Sequence, residues 1–192
     1  MNFLAHLFLA QPNRDELLGN LMGDFVKGKA VKECPILVQK GIFQHRQIDK
    51  FTDSHPTFLR SRGRIQQARY RFSGILVDIF YDHFLAIHWD EFSPVGFEAQ
   101  LQHWIALLDQ DLPYQVPQRL HHTLQAIIHG GMLQSYRSHG GIEYALQRTA
   151  ARIRYRNDLA QGIHDFHRCY EALEDDFQQF FPELIRFVGQ LQ

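Results

Sequence analysis

The chain has 192 residues and a formal net charge of −1, with 45% hydrophobic and 21% charged residues. This balance is typical of a soluble globular domain and excludes a disordered chain, because disordered chains combine low hydrophobicity with high net charge. The near-neutral charge gives no global sign of nucleic-acid binding, so no nucleic acid is expected as a partner. Length and composition predict one domain spanning residues 1–192.

The cysteines and the apolar segments bear on the cellular compartment. Cys34 and Cys169 are too few for a disulfide scaffold and lack metal-ligand spacing, which favours reduced thiols in the cytoplasm. The apolar start, MNFLAHLFLAQ, lacks the basic leader and small-residue cleavage site of a signal peptide and is predicted to be a buried helix. No segment approaches the roughly 18 apolar residues of a membrane span. We therefore expect a cytoplasmic protein with no membrane partner.

Helical periodicity runs through most of the chain, and the alternating, β-branched runs of strands are nearly missing. The predicted class is all-α, as an irregular single-domain helical bundle. Prolines and the glycine pairs at 130–131 and 140–141 separate its helices. The predicted helices span 2–10, 14–29, 35–60, 72–90, 94–110, 117–131, 140–156 and 157–188.

The segment GILVDIFYDHFLAIHW, residues 74–89, is apolar on nearly every side and is predicted to lie in the core. Asp78 and Asp82 interrupt it four residues apart, which places both carboxylates on one helix face. Because an unpaired buried carboxylate costs several kcal/mol, a cation is expected beside them. His83 favours a divalent metal as that cation. A buried arginine pair and a partly exposed helix face stay open as alternatives.

Three further segments supply candidate ligands. In GIFQHRQIDKFTDSHP, His45 and Asp49 share one helix face, which indicates either a second metal-binding ladder or an exposed face with local charge pairs. In GNLMGDFVKG, the glycines suggest a close helix approach that aims Asp24 inward, and a surface carboxylate is the alternative. His6 lies within the apolar first helix and is either a satisfied core histidine or a ligand.

Two arginine clusters stand out in a nearly neutral chain. Guanidinium groups bind carboxylates and phosphates bidentately, so either cluster could dock an acidic protein or a phosphorylated ligand, while ordinary helix solubility is the alternative. The first cluster leads directly into the segment of Asp78 and is predicted to lie at the mouth of the site. The first cluster comprises Arg60, Arg62, Arg64, Arg69 and Arg71, and the second comprises Arg148, Arg152, Arg154 and Arg156.

Four ordered segments together resemble the successive motifs of the acyl carrier protein phosphodiesterase family. They are MNFLAHLFLA, GNLMGDFVKG, GIFQHRQIDKFTDSHP and RYRFSGILVDIFYDHFLAIHW, within about the first 90 residues. That family resembles the HD phosphohydrolases, helical enzymes with a metal bound by His and Asp. Here the adjacent pair is Asp82-His83, the reverse of the usual order, so the ordinary HD pattern does not identify the ligands.

The resemblance implies an HD-like phosphodiesterase of fatty acid metabolism that depends on a divalent metal, with Mn²⁺ preferred and Mg²⁺ or Fe²⁺ as alternatives. Its substrate would be holo acyl carrier protein, docked through its acidic surface on the first arginine cluster and converted to the apo form. The implied metal ligands are Asp24, His45, Asp78 and Asp82, with His6, Asp49 and His83 as further candidates. The implied catalytic groups are Lys27, Arg46 or Arg69 at the phosphoryl oxygens, and His55 or His83 as proton donor to the departing serine oxygen.

Two other functions stay open. An HD-type phosphohydrolase acting on nucleotides would use the same metal and would turn over free nucleotides. A noncatalytic helical module could bind an acidic protein through its arginines, with its carboxylates paired internally. That module would bind no metal.

Overall fold

Thirteen α-helices and two 3-10 helices form the regular structure in the computed structural model, which describes residues 1–110 and 116–191. Within those residues there is no β-strand, and the predicted all-α class is confirmed. The α-helices are α1 Phe3–Leu9, α2 Arg14–Met22, α3 Lys29–Lys32, α4 Ile36–Ser54, α5 Pro56–Gly63, α6 Ser73–Ile87, α7 Trp89–Phe92, α8 Phe97–Leu108, α9 Gln118–Ile128, α10 Met132–Ser135, α11 His139–Arg152, α12 Gly162–Arg168 and α13 Tyr170–Gly189. The 3-10 helices are Gln67–Phe72 and Leu159–Gln161.

Helix α6 lies at the centre of one hydrophobic core to which α1 through α13 contribute. Its aromatic side chains Phe80, Tyr81 and Phe84 are completely buried, and it packs against α1, α5, α11 and α13. The predicted burial of this segment is confirmed. Among the residues that the structure describes, no helix is long and apolar enough to cross a membrane.

The prediction of a single helix over 35–60 is wrong, because the helix is interrupted at His55, between α4 and α5. Proline has no N–H and disfavours a helical conformation in the residue before it, so Pro56 can begin a helix but not continue one. His55 is accordingly extended, with φ −72° and ψ 129°, and its Nδ1 accepts a hydrogen bond of 3.2 Å from the Thr57 amide. The ring thus caps α5.

Three other predicted helices are also divided. The one predicted over 14–29 stops at Met22, and Gly28 then adopts a positive φ of 61° that favours glycine. The one predicted over 72–90 ends at Ile87 before the short α7. The one predicted over 157–188 is split into a 3-10 helix, α12 and α13. The single turn of α10 was not predicted.

Helices α2 and α4 cross in direct backbone contact at Gly19 and Gly41. A Cβ on Gly19 would overlap the carbonyl oxygen of Val38, and a Cβ on Gly41 would overlap that of Glu16. No other residue type fits this crossing without displacing a backbone. The crossing brings the end of α2, and Asp24 beyond it, next to the middle of α4.

Buried aspartates of α12 and α13 bind arginines near the end of α5, in the following 3-10 helix and at the end of α12 itself. The pairs are Arg60–Asp176 at 2.7 Å, Arg64–Asp176 at 2.8 Å, Arg69–Asp165 at 2.8 Å and Arg168–Asp165 at 2.6 Å. Three members of the first arginine cluster are therefore engaged within the protein. An acidic partner docking on these three arginines, as predicted, would have to compete with the aspartates that already bind them.

Replacement of Gly41 with alanine should lower the free energy of unfolding by about 1–3 kcal/mol, because the new Cβ forces the two backbones apart. Chemical denaturation followed by circular dichroism measures the change. Gly74→Ala is the matched control, since that helical glycine faces open space and should be neutral or slightly stabilising. Equal stability of the two variants would contradict a tight crossing.

Arg69→Met should destabilise the protein by about 1–3 kcal/mol, because the buried Asp165 loses a charged hydrogen-bond donor. Thermal unfolding measures the effect. Arg71→Met is the control, since Arg71 lies over the Phe72 ring at 4.5 Å and forms no ion pair with the residues that the structure describes. A destabilisation no larger than that of the control would show that the Arg69–Asp165 pair contributes nothing to stability.

Candidate metal centre

Three metal-ligating side chains converge where α1 meets α4. The ligand atoms of His6, His45 and Asp49 all lie within 4.8 Å of one another. His45 Nε2 is 3.0 Å from Asp49 Oδ2, and His6 Nε2 is 3.2 Å from Asp49 Oδ1. The two imidazole rings stack with centroids 3.8 Å apart and an interplanar angle of 16°. The cluster is buried except for Asp49, which is partly exposed.

Three of the four ring nitrogens in this cluster lack hydrogen-bond partners. His45 Nδ1 donates to the Asn20 carbonyl oxygen at 2.7 Å, so in the neutral ring Nε2 carries the lone pair. That Nε2 and both nitrogens of His6 are buried and make no hydrogen bond. A lone pair 3.0 Å from a carboxylate oxygen requires a cation between or beside them. Neighbouring ligand atoms also lie about 3 Å apart around a metal with bonds of about 2.1 Å, so the spacing fits an ion.

Without a metal, one proton satisfies the cluster. Burial opposes a charge on His45, but the carboxylates of Asp24 and Asp49 outweigh it and raise its pKa to about 9. Burial and the neighbouring His45 lower the pKa of His6 to about 4. Burial also opposes ionisation of Asp49, but the close approach of His45 and His6 to its carboxylate outweighs burial and holds the pKa of that carboxyl far below its ordinary value. The cluster therefore prefers a cation at neutral pH.

Helix α2 and the turn after it shape the second side of the cluster. A Cβ at Gly23 would overlap the His45 ring and lie 2.7 Å from its Nε2, so only glycine leaves room for the imidazole. Asp24 lies at the rim, largely exposed, with Oδ1 3.5 Å from His45 Nε2. Sequence reasoning missed the roles of Asn20 and Gly23. The available signal was their position relative to Asp24: Asn20 lies one helical turn before it, and Gly23 directly precedes it.

Asp82 is fully buried and holds the N-terminus of α1. Its Oδ2 accepts a hydrogen bond from the Leu4 amide at 2.8 Å and its Oδ1 accepts one from the Ala5 amide at 3.0 Å. The first amides of a helix have no partner within it, and a carboxylate there also faces the positive end of the helix dipole. Burial raises the pKa of Asp82 to about 7, against the effect of these two amides. Its predicted partner is thus supplied by backbone donors, and its contact with the cluster is indirect, through α1 and His6.

Asp78, one turn before Asp82 on α6, faces Asp49. The Met1 ammonium lies between them, 3.1 Å from Asp78 Oδ1 and 3.2 Å from Asp49 Oδ1. Burial opposes this charge, but the two carboxylates raise the pKa of the ammonium to about 11. Burial raises the pKa of Asp78, although the adjacent Met1 ammonium favours its charged form. The Met1 ammonium therefore joins Asp49 of the cluster to a second carboxylate.

The basic residues predicted at the phosphoryl group occupy two different regions. Arg46 follows His45 on α4, and its Nη2 donates to the Val26 carbonyl oxygen at 2.9 Å. Lys27, the next residue after Val26, is exposed. Both thus border the turn that carries Asp24. Arg69 is nearly buried and bound to Asp165 of α12.

The two predicted proton donors make contacts outside the cluster. His55 Nε2 lies 3.3 Å from a carboxylate oxygen of Glu183 on α13. His83 Nδ1 lies 2.7 Å from the Tyr136 carbonyl oxygen, and its Nε2 lies 3.0 Å from the Tyr170 hydroxyl. Burial lowers the pKa of His83 to about 4, against the effect of the Tyr136 carbonyl. The structure does not bring either ring together with His6 and His45.

Comparisons with known proteins give the same family over nearly the whole chain. Residues 1–184 match the family model described as acyl carrier protein phosphodiesterase. A protein of that name from Yersinia pestis is 35% identical over 187 residues, which cover 97% of this chain and 96% of its own length. Proteins of the same name from Serratia proteamaculans (strain 568) and Salmonella agona (strain SL483) are 34% and 33% identical, again over 96–97% of this chain and 96% of their own.

No solved structure matches the chain. The family model and the relatives nevertheless extend over nearly its whole length, including the four segments singled out above. The chain belongs to the acyl carrier protein phosphodiesterase family.

Proposed function

We propose that this protein is a metal-dependent phosphodiesterase that releases 4'-phosphopantetheine from the serine of holo acyl carrier protein. The supporting observation is the cluster of His6, His45 and Asp49, in which the buried Nε2 atoms of both imidazoles converge on the two carboxylate oxygens of Asp49. Such a site suits a metal that activates a phosphodiester. Family membership supports the carrier-bound diester as the substrate.

The proposed ligands are the Nε2 atoms of His6 and His45 and the carboxylate of Asp49, with Asp24 at the open rim. Two imidazoles and one or two carboxylates suit Mn²⁺ or Fe²⁺ better than Mg²⁺, which prefers oxygen ligands and retains water. We take Mn²⁺ as the native ion. When bound, such an ion supplies charge neutralisation at the phosphoryl oxygens and lowers the pKa of a water toward neutrality.

The protein's own groups supply the remaining steps. Asp78, whose pKa is raised by burial and whose Oδ1 lies 3.1 Å from the Met1 ammonium, accepts the proton of the attacking water. Arg46 and Lys27, beside the Asp24 turn, neutralise the phosphoryl oxygens on the solvent side. The exposure of Asp24 marks the side from which the diester enters.

The proposal leaves out four residues that the sequence analysis considered. Both oxygens of Asp82 are used by backbone amides, so it positions α1 instead of binding the ion. Arg69 is nearly buried against Asp165. The rings of His55 and His83 contact α13 and Tyr136 instead of the cluster.

We propose that the acidic surface of the carrier docks near Arg62 and Arg71. Among the described residues no carboxylate lies within 4.0 Å of either guanidinium, and they lie over the Tyr70 and Phe72 rings at 5.9 and 4.5 Å. Arg60 and Arg64 are held by Asp176 and contribute a weaker positive field. The cysteines are not joined in a disulfide, which agrees with the proposed cytoplasmic location.

Incubation of the metal-stripped protein with holo acyl carrier protein tests the function. Added Mn²⁺ should cause loss of the phosphopantetheine mass from the carrier, as measured by intact-mass spectrometry. His45→Gln and Asp49→Asn should each reduce the rate by at least about 100-fold, because both remove a ligand.

Asp53→Asn is the matched control, because Asp53 is one turn further along α4 and exposed. It should retain the rate within a few fold. Persistence of the arm with every divalent metal, in protein shown by circular dichroism to be folded, would contradict the proposed reaction. Equal loss of activity in Asp53→Asn would contradict the assignment of the ligands.

Metal binding should release about one proton at pH 7, because His45 is protonated in the metal-free protein and must be neutral to bind an ion. Its pKa of about 9 sets the window: the apparent affinity should rise about tenfold per pH unit from pH 7 and level off above about pH 9. His6, with a pKa of about 4, should contribute no proton in this range. Isothermal titration in buffers of different ionisation enthalpy measures the release, and an affinity that is constant from pH 7 to 9 would refute it.

A further inference from the structure

A second feature of the molecule is a pocket of mixed character between the start of α1 and helices α10 and α11. Phe3, Met132 and Tyr144 give it apolar walls, while Asn2 and Thr149 add hydrogen-bonding groups. Arg148 and Arg152, four residues apart on one face of α11, also line it. None of the metal cluster's residues takes part in its walls. We call it the α11 pocket.

The N-terminal residues of the chain connect the α11 pocket to the metal cluster. The Met1 ammonium is 3.2 Å from Asp49 and 3.1 Å from Asp78, and the next two residues, Asn2 and Phe3, line the pocket. Consecutive Cα atoms are only about 3.8 Å apart, so one end of the pocket begins within two residues of the ammonium that contacts Asp49. Asn2 is fixed there by a hydrogen bond of 2.9 Å from its side-chain amide to the Tyr136 hydroxyl.

The arginines of the pocket have no acidic partner among the residues that the structure describes. No carboxylate lies within 4.0 Å of Arg148 or Arg152, in contrast to the paired arginines of α5 and α12. Arg148 lies over the Tyr144 ring at 5.7 Å and is partly buried. Arg152 is exposed, and its pKa is lowered by partial desolvation and by the positive charges of Arg148 and Arg119. Guanidinium donors in this setting favour a ligand that offers oxygen acceptors.

We propose that the α11 pocket binds the pantetheine arm of the substrate, an inference that rests on the proposed function. The arm is a flexible chain with two amides, a hydroxyl and a branched dimethyl carbon, and it begins at the phosphate that the cluster would hold. Its carbonyl and hydroxyl oxygens can accept hydrogen bonds from Arg148 and Arg152. Its dimethyl and methylene groups can pack on Phe3 and Met132. A purely acidic peptide would use the arginines but leave these apolar walls unused.

This role explains why the pocket combines cations with apolar walls at one end of the candidate centre. The phosphodiester has the serine of the carrier on one side and the arm on the other, so an enzyme that orients the bond gains from a site for each. The α11 pocket provides the site for the arm. Recognition of the arm would also discriminate against phosphodiesters that lack it.

The test uses free pantetheine, which lacks the phosphate and is not hydrolysed, as a probe of the pocket alone. Titration into the full-length wild-type protein, followed by NMR, should show saturable binding. Ala145→Phe, which fills the pocket from α11, and Arg152→Gln, which removes a donor, should each weaken binding by at least about tenfold. Both variants should lower kcat/KM for holo carrier by a similar factor, with unchanged affinity for Mn²⁺.

Gln147→Phe and Arg156→Gln are the matched controls, since both residues are exposed and lie outside the pocket. They should bind pantetheine as the wild type does. No binding of pantetheine to the wild type, or equal binding to Ala145→Phe and Arg152→Gln, would overturn the proposal even if the carrier is hydrolysed. Binding that depends on these two residues would support the pocket even if holo carrier proved not to be the substrate, so the two failures are distinguishable.

Discussion

The hydrogen bonds from the Leu4 and Ala5 amides to Asp82 hold together the region on which the candidate centre depends. A fully buried carboxylate costs several kcal/mol when it has no partner, and two backbone donors at the positive end of a helix offset that cost. Helix α1 has only seven residues and is too short to be stable alone. Its attachment to α6 therefore decides where His6 lies, and so whether the two imidazoles can stack.

The sequence predicts the burial of α6 well, because a segment that is apolar on every side has few places other than the core. It also predicts that Asp78 and Asp82 share a face and need a partner. It does not predict which partner each finds. The donors for Asp82 lie 77 and 78 residues away in the chain and belong to the backbone, which leaves no trace in residue type. Spacing describes one helix face, whereas the opposite surface depends on the tertiary fold.

The distinction between spacing along one helix and packing against a distant surface also explains which other contacts the sequence predicts. His45 and Asp49 lie on one helix, so their meeting follows from helical spacing, but the arrival of His6 requires the packing of α1. The first arginine cluster has a high local charge in sequence, yet Arg60, Arg64 and Arg69 meet aspartates more than 90 residues away. Local charge density thus does not reveal which guanidiniums are free for a partner. By contrast, the break at Pro56 is a local effect. The restriction that a proline places on the residue before it is enough to predict two helices instead of one.

The contact between Gly23 and the His45 ring has a consequence for how the family can vary. A side chain at position 23 and an imidazole at position 45 compete for the same volume, so position 23 cannot gain a side chain while position 45 keeps its imidazole. Loss of the imidazole would permit larger residues at position 23, and each such residue would then block the return of histidine. Once the centre is lost, substitutions at position 23, a residue with no chemistry of its own, would therefore make that loss difficult to reverse.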